Sequence, residues 1–99
     1  MAREWQQTND WSIERTSFTL LFDKDFKKDL AKLDQNVQNK ILKKVLELEK
    51  SPQLGKHLIG IDLWSLRIGK YRVLYKIKQK ELCVLVLTVQ HRKEVYDRL

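Results

Sequence analysis

Apolar residues recur at helical spacing in the first half of the chain. The spacing forms two stripes, namely Phe26, Leu30 and Leu33, then Val37, Ile41, Val45 and Leu48. Each stripe lies among charged residues and predicts an amphipathic helix. Asp23 and Asp34 stand where N-caps are expected, and Ser51-Pro52 ends the second helix. The pattern predicts an antiparallel helical hairpin, with helices over residues 24–33 and 35–50.

The rest of the pattern has the period of two that strands show. A short β-prone run, residues 18–22, precedes the helices. Three alternating stretches follow them, each expected to place its apolar residues on one face: Trp64, Leu66 and Ile68; Tyr71, Val73, Tyr75 and Ile77; Cys83, Leu85, Leu87 and Val89. We expect an α+β fold in which the helical hairpin backs a small antiparallel sheet of about four strands. The domain covers residues 18–99, after a polar N-terminal extension, residues 1–17.

The segment RIGKYR, residues 67–72, predicts a tight hairpin. If Gly69 and Lys70 are the central residues, with Gly69 at the positive φ of a type II′ turn, Arg67 lies directly opposite Arg72. Like charges so placed destabilise a sheet by up to about 1 kcal/mol. On a solvated outer face, the two arginines can splay apart at little cost. Alternatively, the pair binds a phosphate, because guanidinium groups bind phosphate oxygens bidentately. The register puts Ser65 and Lys76 on the same face.

The chain end supplies further polar candidates. His91, Arg92 and Tyr96 follow the last strand, and KEVYDRL, residues 93–99, predicts a short C-terminal helix. That helix would hold Tyr96 near the strand end from which Arg92 projects. Together with the two facing arginines, these residues predict a site for chemistry on a phosphodiester.

Composition narrows the class of protein. The net charge of +7 and pI near 9.6 favour a polyanionic partner, and the excess lies after residue 55, where ten basic residues face four acidic ones. One cysteine and two histidines allow no internal disulfide and too few ligands for a Cys/His metal site, so we expect no metal and no cofactor. No stretch approaches the ~18 apolar residues of a membrane span, and no secretory signal is visible. We expect a cytoplasmic protein without a membrane partner.

With these residues in view, residues 18–99 resemble the RelE/ParE superfamily of toxins from type II toxin–antitoxin systems. The resemblance lies in FDKDFKKDLAKLD, LWSLRIGKYRVLYKI and VLVLTVQHRKEVYDRL, in that order. It implies a RelE-like microbial RNase fold and, for the RelE branch, an endoribonuclease (mRNA interferase) that cleaves mRNA on the ribosome without metal and so inhibits translation. It also implies a cognate antitoxin and a toxin–antitoxin hetero-oligomer.

The resemblance also implies roles for individual residues. Arg72 and Arg92 match the two catalytic arginines, Tyr96 matches the C-terminal tyrosine, and His91 resembles a histidine that several members use. At neutral pH a histidine accepts a proton more readily than a tyrosine, so His91 is the better base unless nearby cations activate Tyr96. The RNA-binding candidates are Arg67, Ser65, Lys76 and Lys93. Ser65 stands where some active members carry lysine.

Two other functions share the fold. A ParE-like toxin would bind and poison DNA gyrase without cleaving nucleic acid, although HRKEVY, residues 91–96, favours the nuclease. A basic RNA-binding module, or an inactive relative, is the third reading, to which Ser65 points. Leu42 and Leu46 broaden the apolar face of the second helix. They are expected in the core first, and in an antitoxin interface as the alternative.

Overall fold

The computed structural model describes residues 17–91 as two helices packed on one five-stranded sheet. The elements, in chain order, are β1 (Thr19–Phe22), α1 (Lys24–Ala31), α2 (Gln35–Leu46), two 3₁₀ turns (Glu47–Glu49 and Pro52–Leu54), β2 (Lys56–His57), β3 (Trp64–Ile68), β4 (Tyr71–Lys78) and β5 (Cys83–His91). The predicted α+β class and helical hairpin are confirmed. The predicted C-terminal helix and the extension up to residue 16 lie outside the described residues.

The helices begin where the aspartates predict. Asp23 caps α1 by accepting a hydrogen bond from the N–H of Asp25 at 3.2 Å, whereas Asp34 caps α2 without a side-chain hydrogen bond. The second helix is shorter than predicted, because its α-helical part ends at Leu46 and a 3₁₀ turn completes it. Pro52 starts the next turn, as expected of a residue that cannot continue a helix.

The sheet differs from the prediction at both edges. Its order is β1-β5-β4-β3-β2, and β3, β4 and β5 form the predicted antiparallel meander. The first strand pairs parallel with β5, so the sheet is mixed, not purely antiparallel. Such a pair needs a long crossover, which the helical hairpin and the following strands provide. A fifth strand, β2, pairs two residues with β3 and is too short to give an alternating pattern.

A β-bulge divides β5 into two halves with different face assignments. Val86 pairs with Tyr75, and the next pair joins Thr88 to Leu74, so Leu87 has no partner in β4. The prediction that Cys83, Leu85, Leu87 and Val89 share one face is therefore wrong. Val84, Val86 and Val89 are the residues of β5 in the core. The extra residue shifts the alternation, as bulges do.

One hydrophobic core lies between the helices and a single face of the sheet. Its buried helical residues are Phe26, Leu30, Ile41, Val45 and Leu48, all predicted from the periodicity. Leu42 packs against this core as expected, whereas Leu46 is 51% exposed, so the core prediction for Leu46 is wrong. The opposite face of the sheet is not covered by the two helices.

Residues 17–91 contain neither a membrane-spanning helix nor a cluster of metal ligands. No helix in this part of the chain is long and apolar enough to cross a membrane. Within the same residues, no three His, Cys, Asp or Glu side chains come together as a metal ion would require. Cys83 is a buried thiol.

Candidate nucleic-acid interface

The β3–β4 hairpin fixes two arginines opposite each other. Ile68 pairs with Tyr71 and Arg67 pairs with Arg72, as the sequence predicts. Gly69 has φ of +59°, while Lys70 has a negative φ, which is the combination of a type II′ turn. The pairing places the two arginine side chains directly opposite each other on one face of the sheet.

The arginines lie on the sheet face away from the helices. Leu66, Ile68, Val73 and Tyr75 are buried in the core, so the residues that alternate with them point to the other side. That side carries Ser65, Arg67, Arg72 and Lys76, which we call the arginine face. Arg67 is exposed, Arg72 and Lys76 are half-buried, and Ser65 is buried at 7% exposure. The four side chains predicted to share a face do so, although Ser65 presents little surface to a ligand.

Two lysines extend this face beyond the residues found from the sequence. Lys56 in β2 pairs with Ser65, and Lys78 in β4 follows Lys76 at strand spacing. Both are exposed. The alternation in β4 could have indicated Lys78, whereas the two residues of β2 give no pattern from which Lys56 could be found.

The end of β5 places His91 away from the arginine face. Gln90, not His91, is the partner of Arg72. His91 pairs with Tyr71, and the two rings meet edge to face with centroids 5.4 Å apart. The structure therefore brings Arg67 and Arg72 together and leaves the His91 ring on the helix side. Arg92, Lys93 and Tyr96 lie outside the described residues.

A cleft of about 600 Å³ lies on the helix side of β5, beside His91. Its lining includes Asp25, Asp29 and Lys32 from α1 and the segment after it. The hydroxyl of Thr88 donates to Asp29 Oδ2 at 2.9 Å, which ties the helix to the strand. Two carboxylates against one lysine repel a phosphate, so this cleft is the wrong environment for a nucleic-acid backbone. The arginine face is the better phosphate-binding surface.

A buried tyrosine secures the sheet edge next to Ser65. Tyr75 Oη donates to the carbonyl of Pro52 at 2.7 Å and accepts from the N–H of Gly55 at 3.0 Å. Burial raises the pKa of the Tyr75 hydroxyl, and the Gly55 hydrogen bond lowers it by less. A Cβ on Gly55 would lie 2.6 Å from the Ser65 carbonyl oxygen, so only glycine fits here without a shift. These contacts hold the chain that enters β2 against β3 and β4.

The arginine face suits binding and charge stabilisation more than proton transfer. By strand pairing, the positions of this face within the described strands carry cations, apolar residues, Ser65, Gln90 and threonines, but no Asp, Glu, His or Tyr. Guanidinium groups bind phosphate oxygens in pairs and stabilise developing negative charge. An acid or base for a reaction on this face would come from outside these strand positions.

Comparison with known proteins agrees with this fold. The model of the family described as the ParE toxin of type II toxin–antitoxin system, parDE, matches residues 20–96. Toxin RelG of Mycobacterium tuberculosis is 31% identical over 85 residues, which cover 82% of this chain and 98% of that toxin.

Solved structures of RelE toxins share the architecture. The RelBE2 toxin–antitoxin complex from M. tuberculosis contains a chain with 30% identity and a TM-score of 0.72, covering 77% of this chain and 99% of that one. The isolated Escherichia coli RelE toxin has 29% identity and a TM-score of 0.68, covering 83% and 94%. The protein therefore belongs to the RelE/ParE superfamily of type II toxin–antitoxin toxins and has the fold of the RelE toxins.

Proposed function

We propose that this toxin is a cytoplasmic endoribonuclease that cleaves mRNA on the ribosome and so inhibits translation. The observation that carries the proposal is the Arg67–Arg72 pair, fixed by a tight hairpin on a face with added lysines and no acidic residue in its strands. The similarity to RelE toxins supports the same reaction. As the resemblance implies, the reaction would need no metal ion and no other cofactor.

RNA supplies its own nucleophile for this reaction. The 2′-hydroxyl attacks the adjacent phosphorus, the bond to the 5′-oxygen of the next nucleotide breaks, and the products are a 2′,3′-cyclic phosphate and a 5′-hydroxyl. The protein orients these atoms, removes the 2′ proton, stabilises the pentavalent dianion and protonates the leaving oxygen. Arg72 and Arg92 would stabilise the dianion, with Arg67, Lys76 and Lys93 on the RNA backbone.

The acid–base step is assigned to the chain end. His91 pairs with Tyr71 on the helix side, so its ring would have to leave that contact to reach a phosphate beside Arg72. This geometry favours Tyr96 as base, with the cations of the arginine face promoting loss of its proton. His91 would then act as the acid, or hold Tyr71 in place.

The protein partner would be a cognate antitoxin that forms a hetero-oligomer with the toxin. Structural relatives include RelBE toxin–antitoxin complexes from E. coli and from M. tuberculosis. Leu46 is 51% exposed on α2, which leaves an apolar position for such a partner to cover.

The test is to translate a defined mRNA in a purified system containing the toxin, and to map cuts by primer extension. Arg72→Ala and Arg92→Ala should abolish cleavage in folded protein, a loss worth roughly 3 to 4 kcal/mol of transition-state stabilisation. His91→Ala and Tyr96→Phe should each cost about 10² to 10⁴ in rate if they transfer protons. Lys40→Ala, on the exposed side of α2, is the control. Normal cleavage by folded Arg72→Ala and Arg92→Ala would contradict the proposed site.

The second candidate is a toxin that inhibits DNA gyrase without cutting nucleic acid. The observation that favours it is the family match, since the matching model describes ParE toxins. Supercoiling by gyrase, measured with the same protein preparation, separates the two. Inhibition of gyrase by wild type that leaves mRNA intact would replace the nuclease with this function.

A further inference from the structure

Ser65 lies at the centre of four cations on the arginine face. Lys56 is its direct partner on one side, in β2, and Arg67 is two residues along its own strand. Its partner in β4 is flanked at strand spacing by Arg72 and Lys76. The register of three strands therefore surrounds one small side chain with two lysines and two arginines.

The spacing lets neighbouring side chains of this cluster share one ligand. Directly paired residues on a sheet face have Cβ atoms about 4.5 to 5.5 Å apart, and diagonal neighbours lie about 7 to 8 Å apart. The long arms of lysine and arginine span such gaps, while Ser65, at 7% exposure, and the half-buried Leu74 opposite it form the floor. We call this cluster, the four cations around Ser65 and Leu74, the seat.

Three of the four cations around Ser65 have no acidic partner among the described residues. Lys56, Arg67 and Lys76 make no ion pair within residues 17–91, where Lys44 and Glu47 form one at 3.6 Å. Segment 18–55, in contrast, interleaves six acidic with eight basic residues. A solvated surface selected for stability alone would mix charges in the same way, because like charges opposite each other destabilise a sheet.

We propose that the seat over Ser65 is a second phosphate site, in which Lys56 and Lys76 bind the RNA phosphate next to the one held by Arg67 and Arg72. This inference rests on the proposed function and adds a contact that it does not include. Lys56 is the distinguishing ligand, because it lies on the far side of Ser65 from Arg72. The RNA backbone would thus run from β4 across β3 towards β2.

The first test measures binding of a single-stranded 2′-O-methyl RNA, which has no free 2′-hydroxyl and is not cut. Lys56→Gln keeps most of the side-chain length and removes the charge, and Lys40→Gln on α2 is the matched control. Between about 50 and 200 mM KCl, the slope of log K against log salt should fall by about 0.7 for Lys56→Gln, as expected for one lost phosphate contact on a single strand. The control should keep the wild-type slope.

The second test locates the phosphate. A set of oligonucleotides, each with one neutral methylphosphonate, is bound to wild type and to Lys56→Gln. At one position the neutral linkage should weaken wild type by about threefold to tenfold, roughly the strength of one screened charge contact, and should barely affect the variant. Equal losses in both proteins at every position would overturn the second site.

The two proposals fail in different ways. Wild type that cuts mRNA during translation, with Lys56→Gln and Lys40→Gln indistinguishable in binding, would remove the second site and leave the nuclease intact. Wild type that cuts no mRNA would overturn the proposed function, whatever the binding data. Wild type that binds no oligonucleotide at low salt would also overturn the second site.

Discussion

Replacing Tyr75 with phenylalanine removes one oxygen atom from the core and should lower the free energy of unfolding by about 2 to 4 kcal/mol. The hydroxyl makes two hydrogen bonds, to the Pro52 carbonyl at 2.7 Å and from the Gly55 N–H at 3.0 Å. Each buried group left unpaired costs about 1 to 3 kcal/mol, and the low end of that range applies to groups that water partly reaches. Pro52 and Gly55 are half-buried, so we expect the loss from the two unpaired groups together to stay in the lower part of the range, about 2 to 4 kcal/mol.

Urea unfolding followed by tryptophan fluorescence measures this change. Tyr71→Phe is the matched control, because it removes the same atom from a half-buried tyrosine that contacts His91 through its ring. On heating, the Tyr75→Phe midpoint should fall by about 4 to 8 °C for each kcal/mol lost. If the two variants unfold within about 0.5 kcal/mol of each other, well below the worth of two buried hydrogen bonds, the reasoning is refuted.

Two further predictions concern pH and the hairpin turn. Burial raises the pKa of Tyr75 above its unfolded value, so the stability that the neutral hydroxyl contributes is fully present below pH ~10 and is lost as pH rises through the folded pKa. Urea unfolding of Tyr75→Phe across this pH range should not show this loss of stability. Gly69→Ala should cost about 1 to 2 kcal/mol, because φ is +59° although no atom lies within 4 Å of the new Cβ. Lys70→Ala is its control, and equal thermal midpoints would contradict the assigned turn.

The parts of the fold that depend on local sequence could be predicted. Asp23, the apolar stripes and the Gly69 turn each act over a few residues, so the helices and the Arg67–Arg72 pairing follow from the sequence. The parallel partner of β1 could not be predicted, because it lies more than sixty residues away in β5. The two-residue strand β2 carries no periodicity, which is why Lys56 was missed.

The placement of the candidate residues was predicted to the same extent as the strands that carry them. Arg67, Arg72, Ser65 and Lys76 share a face because one uninterrupted hairpin sets their alternation. His91 was expected after the strand, but β5 continues through it, so alternation carries its ring to the side of Tyr71. No local feature of VLVLTVQH marks where that strand ends.

The bulge at Leu87 contributes curvature and no pairing. A regular ladder without this residue could keep both neighbouring pairs, Val86 with Tyr75 and Thr88 with Leu74. A bulge bends its strand and increases the twist, so the first half of β5 follows β1 while the second half turns with the hairpin. Leu87 thereby affects the direction in which β5 reaches its end at His91. A β5 shortened by this residue would keep its charged residues and its core residues but would bring His91 to the end of the strand in another direction, so an apolar residue outside the proposed catalytic set helps to position His91.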